Sequence, residues 1–140
     1  MDVFDSNMIK EIKNLIINSR KVLRTLIDTH LKEVNHNSER KSLELNFFYK
    51  AVNVITKKWT VQILMELEVH GPMIFNELMR HLEGISSRSL SDALKKLEKY
   101  KLVLRSVQDT RPPSVLYQLT DKGKGLVELF MLLIIQLIDI

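Results

Sequence analysis

The sequence predicts a mainly α protein carrying one small β-hairpin. Glycine and proline are scarce, at 4 and 3 of 140 residues, so long regular elements joined by few loops are expected. Apolar residues recur at helical spacing through most of the chain. Two short runs rich in β-branched and aromatic residues, 102–107 and 115–119, flank a proline-containing loop. A hydrophobic content of 45% supports a real core, and the length suits one domain.

The first element expected is a long amphipathic helix over residues 6–34. Ile9, Ile12, Ile16, Leu23 and Leu26 form its apolar stripe, which Leu15, Val22 and Ile27 widen. Asp5 or Ser6 can cap its start by accepting bonds from unpaired backbone N–H groups. Ser19 and His30 interrupt the stripe. So long a helix has more apolar surface than a small domain buries, which suggests a partner chain.

Residues 35–40 form a polar linker. Ser42 can then cap a helix reaching about residue 57, and residues 59–69 form the next one. Val61, Ile63, Leu64 and Leu67 face its core, and Trp59 is read as core. Gly71-Pro72 stops it, because glycine accepts the left-handed cap and proline cannot continue the helix. A short helix over 75–82 ends at Gly84, and Ser86 or Ser87 caps another running to about Tyr100. The two strands follow, joined by residues 108–114, and Thr120 caps a final helix that runs to the C-terminus. The order helix, short helix, helix, hairpin is a winged helix-turn-helix with long N- and C-terminal dimerisation helices. Residues 1–41 are expected to be the N-terminal dimerisation helix and linker. Residues 42–125 are the winged helix, and 126–140 the C-terminal dimerisation helix.

The formal charge is +4, and its distribution is informative. Residues 46–125 carry 13 Lys/Arg against 8 Asp/Glu, whereas 1–45 are nearly balanced, with 8 against 7. The middle segment is therefore where a polyanion would be met. Gly84 and Ile85 lead into Ser86, Ser87, Arg88, Ser89 and Ser91, which open the expected second helix of the motif. Small hydroxyls there let a backbone approach DNA closely, and a helix N-terminus favours phosphate. Arg88 suits a bidentate guanine contact. Lys95, Lys96 and Lys99 follow as phosphate-positioning charges. Arg105 and Arg111 sit on or beside the hairpin, where Pro112-Pro113 stiffens the loop. Asp109 locally opposes that attraction.

These residues resemble the HxlR-type winged-helix regulators, relatives of MarR-type proteins. The resemblance rests on Lys58-Trp59-Thr60, Ile63-Leu64, Gly71-Pro72 and Phe75-Asn76-Glu77-Leu78. It continues through Gly84-Ile85-Ser86, Arg88, Leu90-Ser91, Leu94, Leu97-Glu98, Leu102-Val103, Arg105, Pro112-Pro113, Tyr117, Leu119-Thr120 and Gly123. It implies a homodimeric bacterial or archaeal transcription factor whose recognition helix enters the major groove of double-stranded DNA at a pseudo-palindromic site. Ser86, Ser87, Arg88, Ser89 and Lys95 match recognition-helix positions, and Arg111 matches the wing. Two features depart from the family. Many members carry a cysteine where Asn46 stands, so a thiol switch has no support here, and the N-terminal helix is longer than the family's.

Other chemistry finds little footing. With no cysteine, disulfides, thiolate catalysis and cysteine-based metal sites are excluded from these residues. Glycine-rich phosphate loops, nucleophile elbows and paired catalytic carboxylates are not found, so no enzyme and no cofactor are expected. His30, His36, His70 and His81 lack familiar metal-ligand spacing and are read as surface or capping residues, with no metal expected. The first five residues lack the pattern of a signal peptide, making a cytoplasmic protein the default. Residues 126–140 are apolar almost all round but too short to span a bilayer, so packing against the N-terminal helix and a symmetry mate is expected rather than a membrane. A small-molecule effector is conceivable at a pocket lined by Met65, Met73, Phe47, Phe48 and Met131. The alternative function is a winged helix that contacts proteins or senses a ligand, with weak or no DNA binding.

Overall fold

The computed structural model describes residues 5–138. The reading of residues 1–4 as leaderless and of 139–140 as helix therefore lies outside the described residues. The chain divides into two compact units, Met1–Ala51 with Leu129–Ile140, and Val52–Glu128. The sequence places the breaks at 41 and 125. The boundary between the units at residues 51 and 52 lies inside a helix.

In the first unit α1 (Ser6–Val34) is the long helix, capped as expected by Asp5. The Asp5 carboxylate accepts from the Asn7 N–H at 2.7 Å and from the Met8 N–H at 3.4 Å. Then α2 (Ser38–Ile55) begins four residues before the expected Ser42 cap. Asn37 caps it instead, its Oδ1 accepting from the Arg40 N–H at 2.9 Å. The linker shrinks to residues 35–37. His30, which interrupts the α1 stripe, meets Glu44 of α2 at 2.8 Å, and Arg40 approaches the same carboxylate at 3.1 Å. The His30 contact, backed by the Arg40 guanidinium, holds the Glu44 carboxyl below the usual glutamate range against a smaller opposing effect of burial.

Apolar residues of this unit stay largely uncovered. Leu23 and Ile27 of α1 are 53% and 45% exposed, and Phe47 of α2 is 75% exposed. Val34 and Ile135 are its buried exceptions.

The second unit holds α3 (Thr60–His70), β1 (Met73–Ile74), α4 (Phe75–His81), α5 (Ser87–Lys99), β2 (Val103–Gln108), β3 (Ser114–Leu119) and the start of α6 (Asp121–Leu137). The strands form one antiparallel sheet in the order β1-β3-β2. β2 and β3 are the expected hairpin, in register from Val103 opposite Leu119 to Gln108 opposite Ser114. β1 is not among the expected elements, since two residues carry no periodicity. It exists only through pairing, Met73 opposite Tyr117 and Ile74 opposite Leu116.

The core of this unit is built from Ile63, Leu64 and Leu67 of α3, Leu78 of α4, and Leu90, Leu94 and Leu97 of α5, with Met73, Leu102, Val103 and Val127. Met73 is thus core, and Phe47 and Phe48 are exposed on α2. Trp59 is only half-buried, with the Lys58 ammonium 4.6 Å from its ring centroid. Thr60, beside it, is the residue that is buried.

Two joints set the geometry around α5. Gly84 lies at φ +83° between α4 and α5, a conformation that a β-carbon would strain. At the other end Thr120 donates to the Lys101 carbonyl at 2.6 Å and accepts from the Gly123 N–H at 3.0 Å, capping α6 as expected. Gly123 is buried so tightly that a β-carbon there would fall on the Leu102 carbonyl oxygen. Elsewhere in this unit, His70 and His81 converge on Glu66, although their sequence positions give no sign of a shared site.

Candidate nucleic-acid interface

The apolar residues of α5 fix which side chains it presents outward. Leu90, Leu94 and Leu97 are fully buried, and helical spacing then directs Arg88, Asp92, Lys95 and Lys99 away from them. These four stand at i, i+4, i+7 and i+11, a single strip along an exposed helix of 13 residues, about 20 Å at ~1.5 Å per residue. Three of the four are plain in the sequence. Arg88, Lys95 and Lys99 are candidates there and Asp92 is not, although its i+4 offset from Arg88 places it on the same face.

Arg88 Nε and Asp92 Oδ2 are 4.0 Å apart, and their side chains are 93% and 69% exposed. A pair so open to water contributes little, on the order of a few tenths of a kcal/mol. Arg88 is therefore loosely aimed and can be turned onto another acceptor at small cost. Asp92 is an acceptor in its own right, of the kind that reads a cytosine amino group.

The serines divide by role. Ser86 is the N-cap, its Oγ accepting from the Ser89 N–H at 3.0 Å and lying 2.9 Å from Ser89 Oγ. These two hydroxyls are already engaged in starting the helix. Ser87 is exposed and Ser91 half-buried, both in the first two turns.

Lys96 sits on the flank of the strip, half-buried. The Lys57 side chain against it holds its ammonium below the usual lysine range, helped by burial and by the charges of Lys57 and Lys99. A cluster of mutually repelling ammoniums is relieved by an anion such as phosphate. Lys57 has no signal in the sequence, since it precedes α3 and reaches α5 only through the fold.

Arg105 and Arg111 stand apart from the strip, on the hairpin. Arg105 lies on β2 opposite Tyr117, exposed. Arg111 is exposed in the loop between β2 and β3. Proline is not alone in ordering that loop: Thr110 Oγ1 donates to the Pro112 carbonyl at 2.9 Å and accepts from the Ser114 N–H at 3.2 Å.

Three helices and a three-stranded sheet, with a basic strip on the last helix and arginines on the hairpin, define a winged helix-turn-helix transcriptional regulator. Residues 54–137 match the family described as HxlR-like helix-turn-helix, and the chain belongs to that family. It is 40% identical over 79 residues, 56% of its length and 72% of the relative's, to YvaP of Bacillus subtilis, named as an HTH-type transcriptional regulator. The transcriptional regulator YodB of B. subtilis, solved in its reduced form, superposes with a TM-score of 0.55 at 34% identity, covering 59% of this chain and 80% of that one. The redox regulator HypR in its oxidized form gives 0.56 at 30%, covering 64% and 89%. Among the described residues no helix is long and apolar enough to cross a membrane.

Proposed function

We propose that this chain is a sequence-specific regulator that binds double-stranded DNA as a homodimer, α5 in the major groove and the hairpin on the flanking minor groove or backbone. The observation that carries the reading is the outward strip of Arg88, Asp92, Lys95 and Lys99 on an exposed helix of groove-filling size. Arg88 reads a guanine edge, and Ser87 and Ser91 approach phosphates or bases at the helix start. Lys95 and the Lys57–Lys96–Lys99 cluster hold the backbone, and Arg105 and Arg111 serve the wing. Ser86 and Ser89 contribute by fixing where α5 begins.

Dimerisation rests on apolar surface. Leu23, Ile27 and Phe47 are exposed, and Leu129, Leu133 and Leu137 form an uncovered i, i+4, i+8 strip on α6. Burying one such side chain is worth about 1.5–3 kcal/mol, so a second copy covering several of them offsets the cost of association. A regulator acting on chromosomal DNA works in the cytoplasm. YodB and HypR were solved in defined redox states, but the 140 residues here hold no cysteine, so an effector would act through other chemistry.

Selection of the purified chain against a random duplex library tests the reading. An enriched inverted repeat with half-sites about one helical turn apart is expected. No retention of duplex even at low salt would overturn it.

A further inference from the structure

We propose that Glu66, His70 and His81 form a site for one divalent transition-metal ion of the zinc type. Glu66 and His70 are four residues apart on α3, so both side chains leave the same face. His81 is the last residue of α4, and the fold of the second unit brings it to that face. Glu66 Oε2 lies 3.2 Å from His70 Nε2 and 3.0 Å from His81 Nδ1. The two rings meet edge to face with centroids 4.6 Å apart. The three donor atoms all lie within 4.8 Å of one another.

Those separations suit an ion. Around tetrahedral zinc, ligands at ~2.0–2.1 Å stand roughly 3.3 Å from each other. Two of the three edges already have nearly that length. Both imidazole nitrogens face one carboxylate oxygen, so an ion entering between them is bound by each neutral ring in the tautomer that carries its proton on the other nitrogen, and all three donors are used. Two imidazoles and a carboxylate are the donors zinc, cobalt, nickel and copper prefer, whereas magnesium and calcium require a set of oxygens. Glu66 is mostly covered, at 27% side-chain exposure, and the histidines are open enough to admit the ion, leaving a fourth position for water. The ion would tie the C-terminal end of α3 to that of α4, immediately before the Gly84 turn. It needs no DNA to bind and stands independently of the DNA reading.

The test is titration of the tag-free full-length chain with Zn²⁺ by calorimetry, with Co²⁺ absorption as an independent readout of coordination. One ion per chain is expected, with visible bands of four-coordinate cobalt and a melting temperature that rises with zinc concentration. His81→Ala and His70→Ala should each weaken zinc by at least about 10-fold, the lower bound set by changes to a metal's outer shell. Both histidines are exposed, and circular dichroism reports whether each variant keeps its fold. Should one variant unfold, the other still decides. His30→Ala, a histidine in the first unit, should bind as the wild type does. Absence of saturable zinc binding by the wild type overturns the proposal. So does unchanged binding by a folded His70→Ala or His81→Ala variant, or loss of binding on His30→Ala alone.

Discussion

Arg88 is exposed, weakly held and carried on a rigid helix, which is the combination a base-reading side chain requires. Its replacement by alanine should weaken binding to the preferred site by about 1–3 kcal/mol and relax base preference at one position. Fluorescence anisotropy against single-base variants of the site measures both effects. Lys96→Ala should act differently, weakening all duplexes alike and lowering the slope of log K against log salt by about 0.9 for each phosphate no longer neutralised. The chemistry of Arg88 and Lys96 is legible in the amino-acid sequence itself. The partners that tune them are legible unequally. Asp92 follows from helical offset alone, but Lys57 is 39 positions from Lys96, and only the packed fold places them together. The same holds for His81, whose approach to Glu66 depends on how α4 packs beside α3. Gly123 is informative in another way. Its backbone lies against Leu102, so Gly123→Ala should cost about 1–3 kcal/mol of stability from overpacking, measurable by chemical denaturation.

Among the elements, those with strong periodicity or clear punctuation are readable. α1, α4 and α5 begin close to where capping residues and glycines put them, and the hairpin is legible within about a residue at either end. α2 starts earlier than expected because Asn37, an equally good cap, precedes Ser42, and the polar run after it is compatible with an exposed helix. β1 has no local signal at all. The α1–α2 contact carries its own prediction. The Glu44 carboxyl is held below its ordinary value, so its contribution to folding is present above about pH 4.5 and is lost as pH falls through the lowered value. His30→Ala should therefore lower stability above that range and make the acid decline shallower, as followed by circular dichroism melts across pH.

At the scale of the whole molecule, the uncovered leucines of α1 and α6 and the phenylalanines of α2 demand a cover, and the positive strip of α5 demands an anion. On the proposed function, a second copy supplies the cover and a DNA duplex the anion. Leu23→Glu on α1 should shift the chain toward monomer in sedimentation while leaving the second unit folded, because Leu23 lies outside it. Loss of dimer should also weaken DNA binding, since two linked recognition helices bind far more tightly than one. The most direct measurement is a salt-resolved titration of the selected site and a shuffled duplex, with stoichiometry determined by mass. Two chains per site are expected, with a preference for the selected duplex on the order of 10³ or more and affinity for both falling steeply as salt rises. Equal affinity for the two duplexes, or no binding to either at low salt, would contradict the account.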